Sequence, residues 1–202
     1  MKARLAETGD TSKLAKTLAE AFFLDPVWGW AFGDPAHRKA QHEAWFRLLI
    51  RSALPFRWVW TTPGYEAVSV WLPPNCPELS EEDEARLAPL LEESLGPRAA
   101  LIFEIFNRFE AAHPRTRDHY YLSLLGTHTE HRGSGIGMHL LADNLARLDS
   151  LQMPAYLEST NPANLERYES VGFAVCGSFG LPDEGPTVTT MWREPVPPFE
   201  RA

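Results

Sequence analysis

Three glycines at alternate positions stand in the run Arg132-Gly-Ser-Gly-Ile-Gly137, between a strand-like segment and an amphipathic helical one. Glycine lets a backbone come close to a bulky guest. A helix N-terminus also concentrates about half a positive charge and several free N–H donors, so phosphate is the natural ligand of such a turn. The competing explanation is a tight strand-to-helix turn that needs glycine for steric reasons alone. A dinucleotide fingerprint is excluded by its spacing, since Gly133, Gly135 and Gly137 spell GxGxG and position 138 is Met138. Glu158, 25 residues past Gly133, imitates a ribose-binding acid. A dinucleotide fold, however, would open with this unit and follow it with parallel strands, whereas here the unit comes late and precedes a hairpin.

Two further features carry chemistry only in combination. Gly126 lies inside the strand that leads to the turn, where glycine marks a bulge, a close approach of another backbone, or simple packing. A bulge would turn N–H and C=O groups away from the sheet and leave them free for a ligand. Downstream, Asn161-Pro162 caps a short helix carrying Asn164 and Tyr168, which Gly172 stops. Asn161 has a sufficient role as a cap, and Tyr168 lies on a face that would also suit a core aromatic.

The elements that must position these residues can be read from patterning. Leu14, Leu18 and Ala21/Phe22 repeat at helical spacing, and Asp25-Pro26 ends that run. Asp34-Pro35 opens a second helix with Ala44/Trp45, Leu48 and Ser52 on its buried face. Residues 57–61 and 65–72 predict two strands around Pro63-Gly64. Ser80 to Asp83 starts one helix, and Pro97 starts another whose face is Ile102, Ile105/Phe106 and Phe109; together they form a helical insertion between strands. Then follow a strand at 119–127, a helix at 135–149, a strand at 155–159, and a hairpin of 173–181 with 188–193. The result is an α+β chain with a mixed sheet.

Composition limits the class. With 44% apolar and 23% charged residues, seven Trp and eleven Phe, the 202-residue chain is globular rather than disordered. Its net charge of −8 argues against nucleic acid and is compatible with a cationic partner. Cys76 and Cys176 show no metal or redox spacing, so two reduced thiols are expected. Met1 to Asp10 lacks the apolar core of a signal peptide, and no run reaches the ~18 residues of a membrane span, so a cytoplasmic protein without membrane contact is expected.

Taken together, Arg132-x-x-Gly135-x-Gly137 after a strand, then Asn161, Tyr168 and Gly172-Phe173, resembles the acetyl-CoA-binding half of the GNAT acyltransferases. The stretch from His119 to Pro195 is most similar to their puromycin N-acetyltransferase-like members, through YLEST at 156–160, NPANLERYESVGF at 161–173 and LPDEGP at 181–186. The resemblance implies a three-layer α/β/α fold over residues 1–202, with a mostly antiparallel central sheet and a splayed parallel pair. In that layout 1–112 forms the acceptor side and 119–195 the acetyl-CoA side. It implies acetyl transfer from acetyl-CoA to a primary amine of a small molecule, with no metal. Glu158 is then the general base and Tyr168 the general acid. Leu125, Gly126 and Thr127 would pair through their backbone with the pantetheine arm, Arg132, Gly133, Ser134, Gly135, Ile136, Gly137 and Met138 would wrap the pyrophosphate, and Asn161 and Asn164 would face the CoA arm. Many relatives place Lys or Arg where this chain has Ser134, which leaves the loop less charged; His128 and His131 offset that in part.

Phe22, Asp25, Trp28, Trp30 and Trp71 offer an aromatic wall and a carboxylate for the acceptor, or else they simply fill the core. Two other functions fit the same resemblance: acylation of a protein or peptide amine, and a catalytically silent CoA-binding sensor. Monomer and homodimer are both compatible with a final strand at a sheet edge.

Overall fold

The computed structural model describes residues 2–197; Met1, the first residue of the segment read for a signal peptide, and residues 198–202 lie outside the described residues. A two-residue strand β1 (Arg4–Leu5) is followed by three helices, α1 (Thr11–Phe22), α2 (Pro26–Ala31) and α3 (Pro35–Ala53). Strands β2 (Val59–Thr61) and β3 (Ala67–Leu72) lead into α4 (Glu81–Leu95) and α5 (Ala99–Ala112). The remainder runs β4 (Tyr120–Thr127), α6 (Ile136–Ser150), β5 (Ala155–Ser159), α7 (Leu165–Glu169), β6 (Ala174–Gly180) and β7 (Thr187–Arg193).

One seven-stranded sheet takes the order β1-β2-β3-β4-β5-β7-β6. All neighbours are antiparallel except β4 and β5, which are parallel. This is the mixed, mostly antiparallel sheet expected from the sequence. Its parallel pair is short. Residues 120–122 match 155–157, and pairing stops at Leu122–Leu157 although β4 runs on to Thr127. The two strands therefore splay.

Alternation along β3 divides the core between the two faces of the sheet. Val68, Val70 and Leu72 join Leu14, Leu18, Trp45, Phe46 and Ile105 under α1, α3 and α5. Ala67 and Trp71 point the other way and join Leu140, Leu141, Leu145 and Leu148 of α6. Helices thus cover both faces. Arg193 on β7 clamps the C-terminal end of α6 through a two-pronged ion pair with Asp149, at 2.7 and 2.8 Å.

Two details depart from the sequence reading. The first helical run does end before Asp25, which is extended, but the chain is not free of helix beyond it: Asp25 caps α2, accepting from the N–H groups of Val27 and Trp28 at 3.0 and 3.1 Å. Pro26 then takes the first helical position, where its missing N–H costs nothing. The bulge is not at Gly126 either. Trp71 pairs with Leu122 and Val70 with Leu124, so the extra residue of β4 is Ser123. Gly126 has a packing reason instead, because a Cβ there would lie 2.8 Å from Leu18 Cδ2 and 2.9 Å from Ala21 Cβ of α1.

Candidate active site

The notch opened by the splay is the centre of the site. His128 donates its N–H to the Glu66 carbonyl, which fixes the hydrogen-bonding alternation along β4. Leu124 and Gly126 face β3, while Leu125 and Thr127 direct their N–H and C=O groups toward β5, past the last parallel pair. Beyond Thr127 the chain enters the glycine-rich turn. Gly133 and Gly135 both have φ +78°, left-handed backbone that residues with a Cβ rarely adopt. Gly137 is required for a different reason, since a Cβ would meet Thr127 Oγ1 at 2.3 Å. The first turn of α6 is thereby pressed against the end of β4. No side chain caps α6, so the N–H groups of Ile136, Gly137 and Met138 remain open. Arg132 reaches back from the turn to the Ala21 carbonyl of α1, and Ser134 bonds the His131 carbonyl.

Beside the notch lies a cavity of about 720 Å³, counted to its open mouth, between the sheet and helices α2, α3 and α5. Leu125, Glu158, Asn164 and Tyr168 all line it. Glu158 projects from β5 on the same face as Tyr156 and, across the parallel register, Tyr121. Both phenols donate to its carboxylate, Tyr121 to Oε2 at 2.5 Å and Tyr156 to Oε1 at 3.0 Å. Burial pushes Glu158 up to about 8; the two phenols oppose the rise, and the charges of Glu78 and Glu110 add to it. Tyr168 enters from α7 on the far side of the notch and is raised to about 12, first by burial and then by the charge of Asp25. One group is therefore poised to take a proton near neutral pH, and the other holds its proton throughout that range.

The remaining predicted positions divide. Asn161 uses its side-chain oxygen to cap its own helix through Ala163 N–H at 3.0 Å, and Asn164 accepts from Arg167 at 2.9 Å. Phe22, Asp25 and Trp28 line the cavity. The Asp25 carboxylate is already spent there on three internal bonds: two cap α2, and the third is from Thr160 Oγ1 at 2.7 Å.

Trp71 is not in the acceptor wall. Its parity in β3 sends it to the α6 face, where it is fully buried and donates Nε1–H to Asn144 at 3.0 Å. Trp30 packs against the β6–β7 turn at Gly185 rather than in the cavity. Sequence reasoning missed Glu78, Tyr121, Tyr156 and the aromatic wall of Trp45, Phe106 and Phe109. Of the Tyr121–Tyr156–Glu158 set only Tyr156 was legible, because a residue two positions from a strand carboxylate shares its face, whereas Tyr121 needs the register of β4 on β5.

No family model matches the chain. Solved structures do, over nearly the whole length. A protein described as histone acetyltransferase HPA2 and related acetyltransferase, from Corynebacterium glutamicum, superposes with a TM-score of 0.67 at 24% identity, covering 98% of each chain. The Drosophila melanogaster polyamine N-acetyltransferase gives 0.66 at 16% identity, covering 96% of this chain and 99% of its own. The Escherichia coli ribosomal-protein-S18-alanine N-acetyltransferase gives 0.55 at 14% identity, covering 100% and 97%. The fold is that of the GNAT acetyltransferases. Within this GNAT fold the strand β4 links the cavity, lined by Leu125, to the glycine-rich turn that follows Thr127, and the three neighbours are named for acceptors that differ from one another. Among the described residues no group of three or more metal-ligating side chains occurs, and no helix is long and apolar enough to cross a membrane.

Proposed function

We propose that the protein is an acetyl-CoA-dependent N-acetyltransferase that acts on a primary amine of a small molecule by direct transfer. The observation that carries this reading is the meeting of Glu158 and Tyr168 in one cavity across the splay of β4 and β5. The residues present suit acetyl-CoA. Open N–H groups at the start of α6 and the nearby Arg132 suit a pyrophosphate, and the unpaired backbone of Leu125 and Thr127 suits the amides of a pantetheine arm. Gly126 contributes by admitting α1, not by presenting its own backbone.

The acceptor arrives as an ammonium. Glu158 removes one proton, and the freed lone pair attacks the thioester carbonyl carbon. Negative charge on the carbonyl oxygen is met by strand N–H groups that point into the notch before reaction begins. When the tetrahedral species collapses, the C–S bond breaks, the sulfur keeps the electron pair and takes a proton from the Tyr168 hydroxyl, and the nitrogen, now bonded to the acetyl carbon, gives up its second proton to solvent to leave a neutral amide. Glu158 holds the proton taken from the amine, and exchange with solvent resets both groups. Neither Cys76 nor Cys176 lines the cavity, which agrees with transfer that uses no thiol of the enzyme.

Thermal unfolding with and without acetyl-CoA tests the binding step without knowledge of the acceptor. At a hundred times Kd a ligand adds about 2.7 kcal/mol, which raises Tm by roughly 5–10 °C for a chain of this size. That shift, absent with NAD, is the expected result. No shift at millimolar acetyl-CoA overturns the reading. Release of free thiol from acetyl-CoA across a panel of primary amines then tests turnover.

A further inference from the structure

One acid of the cavity has no part in the account above. Asp25, Glu78 and Glu158 line the cavity, and no Lys, Arg or His side chain does. Three carboxylates without a protein cation around an aromatic-walled space leave charge that a ligand must balance or protons must neutralise. Two of the three are accounted for. Asp25 is consumed by its three bonds to Val27, Trp28 and Thr160, and Glu158 by its two phenols and its proton-transfer role. His113, which stacks edge-on against Tyr121 and Tyr156, is pushed down to about 4 by burial and by His119, so it supplies no charge at neutral pH.

Glu78 is the remaining acid. One oxygen, Oε1, accepts from Ser123 Oγ at 2.5 Å, and among the described residues Oε2 has no partner. Ser123 is the bulge residue of β4. The extra residue puts Ser123 and Leu124 both in the cavity wall, so the hydroxyl that orients Glu78 is aimed there by the bulge itself. Tyr121, which holds Glu158, is two residues earlier on the same strand, about 7 Å away along β4. The same cavity is walled by Trp28, stacked on Phe109 at 6.3 Å, and Trp45, against Phe106 at 5.0 Å.

We propose that Glu78 determines acceptor specificity and that the acceptor is a small amine bearing a second positive charge. The distal cation rests against Glu78 Oε2, a short apolar spacer lies along the aromatic wall, and the reacting nitrogen faces Glu158. This inference rests on the acetyltransferase reading. Glu78 is a specificity residue in it, not a participant in proton transfer.

The test compares 1,4-diaminobutane with butylamine as acceptors for the wild type, Glu78→Gln and Ser123→Ala. The wild type is expected to favour the diamine at least tenfold in kcat/KM. Glu78→Gln should remove that preference by raising KM for the diamine relative to KM for butylamine, while any change in kcat that reaches both amines through Glu158 cancels in the comparison. Ser123→Ala, which keeps the charge and loses only its orientation, should raise the diamine KM less; it also serves if Glu78→Gln does not fold. Equal efficiency for the two amines, or a diamine preference that survives Glu78→Gln, overturns the inference and leaves acetyl transfer standing. If neither amine is acetylated, calorimetric titration of 1,4-diaminobutane into the CoA-loaded protein decides. Binding that Glu78→Gln weakens tenfold upholds the second-charge site although transfer to these amines fails, and no binding by the wild type overturns it.

Discussion

The two faces of the sheet use the same kinds of residue to opposite ends. Under α6, Ser69 Oγ and Trp71 Nε1 both donate to Asn144 Oδ1, at 2.6 and 3.0 Å, and all three residues are completely buried. There two donors close on one acceptor, although Asn144 Nδ2 and Trp60 Nε1 on the same side are buried without a partner among the described residues. Under α1, α3 and α5, the carboxylates of Glu78 and Glu158 are oriented by hydroxyls yet keep lone pairs turned into open space. A buried polar group whose partners are all internal contributes to holding the fold; one that is aimed and left partly free is held ready for something that is not protein. The same strands supply both faces, and parity along each strand decides which role a side chain takes.

The sharpest way to break this comparison is Glu158→Gln. Loss of a general base typically costs 10²- to 10⁴-fold in rate, so turnover should fall by about that range while the acetyl-CoA-induced rise in Tm persists. Stability should move the other way. Folding raises Glu158 from its ordinary 4.5 to about 8, so the folded protein binds this proton more tightly. The stability that results is complete at low pH and is lost as pH rises toward 8. At pH 9 the Gln variant should therefore melt no lower than wild type, which melting curves at pH 6 and pH 9 would reveal. A variant that melts far lower at pH 9 would assign Glu158 to the fold rather than to the reaction.

On the closed face, Asn144→Ala strands two buried donors, and each unsatisfied group costs about 1–3 kcal/mol. Tm should drop by several degrees while the acetyl-CoA response is retained in the folded fraction. Activity lost without any change in melting would erase the distinction between the faces. A smaller effect is expected from Tyr121→Phe. The phenol favours the charged form of Glu158, so its removal raises that group further and shifts the acid limb of the kcat/KM profile to higher pH. A hydrogen bond to a charged group is worth about 1.5–3 kcal/mol, and one pKa unit is about 1.4, so a move of about one unit is the outcome to look for. Rates at pH 9 should suffer less than those at pH 7, and a uniform loss at both would deny Tyr121 its positioning role.

Much of the arrangement was legible in the sequence where one local rule was decisive. Asp34-Pro35 and Ser80 do cap α3 and α4, the strand at 155–159 has the predicted bounds, and the mixed sheet follows from the late strand–helix–strand pattern. What escaped was set by tertiary registration. Asp25-Pro26 reads equally as the end of one helix or the cap of another, and α2 exists because Val27, Trp28 and Ala31 are buried against the other helices. The bulge at Ser123 depends on how β3 and β4 match, which no property of Ser123 reveals. Trp28 and Trp71 are indistinguishable as residue types, and only strand parity against a helix face puts one beside the cavity and the other beneath α6. Glu78 lies outside every motif, in the turn-rich stretch before α4, and gains its meaning from Ser123.

The early end of pairing between β4 and β5 also bears on self-association. Unpaired strand groups at the rim of a sheet invite another chain's strand, and proteins spend charge, proline and bulges to prevent it. Here the unpaired groups of Leu125 and Thr127 lie in the interior of the sheet, flanked by β3 on one side and by β5 and β7 on the other. A second copy cannot add a strand there without prising apart the sheet that frames the notch. The protein thus carries hydrogen-bonding backbone that a slender linear guest can reach and edge-to-edge aggregation cannot.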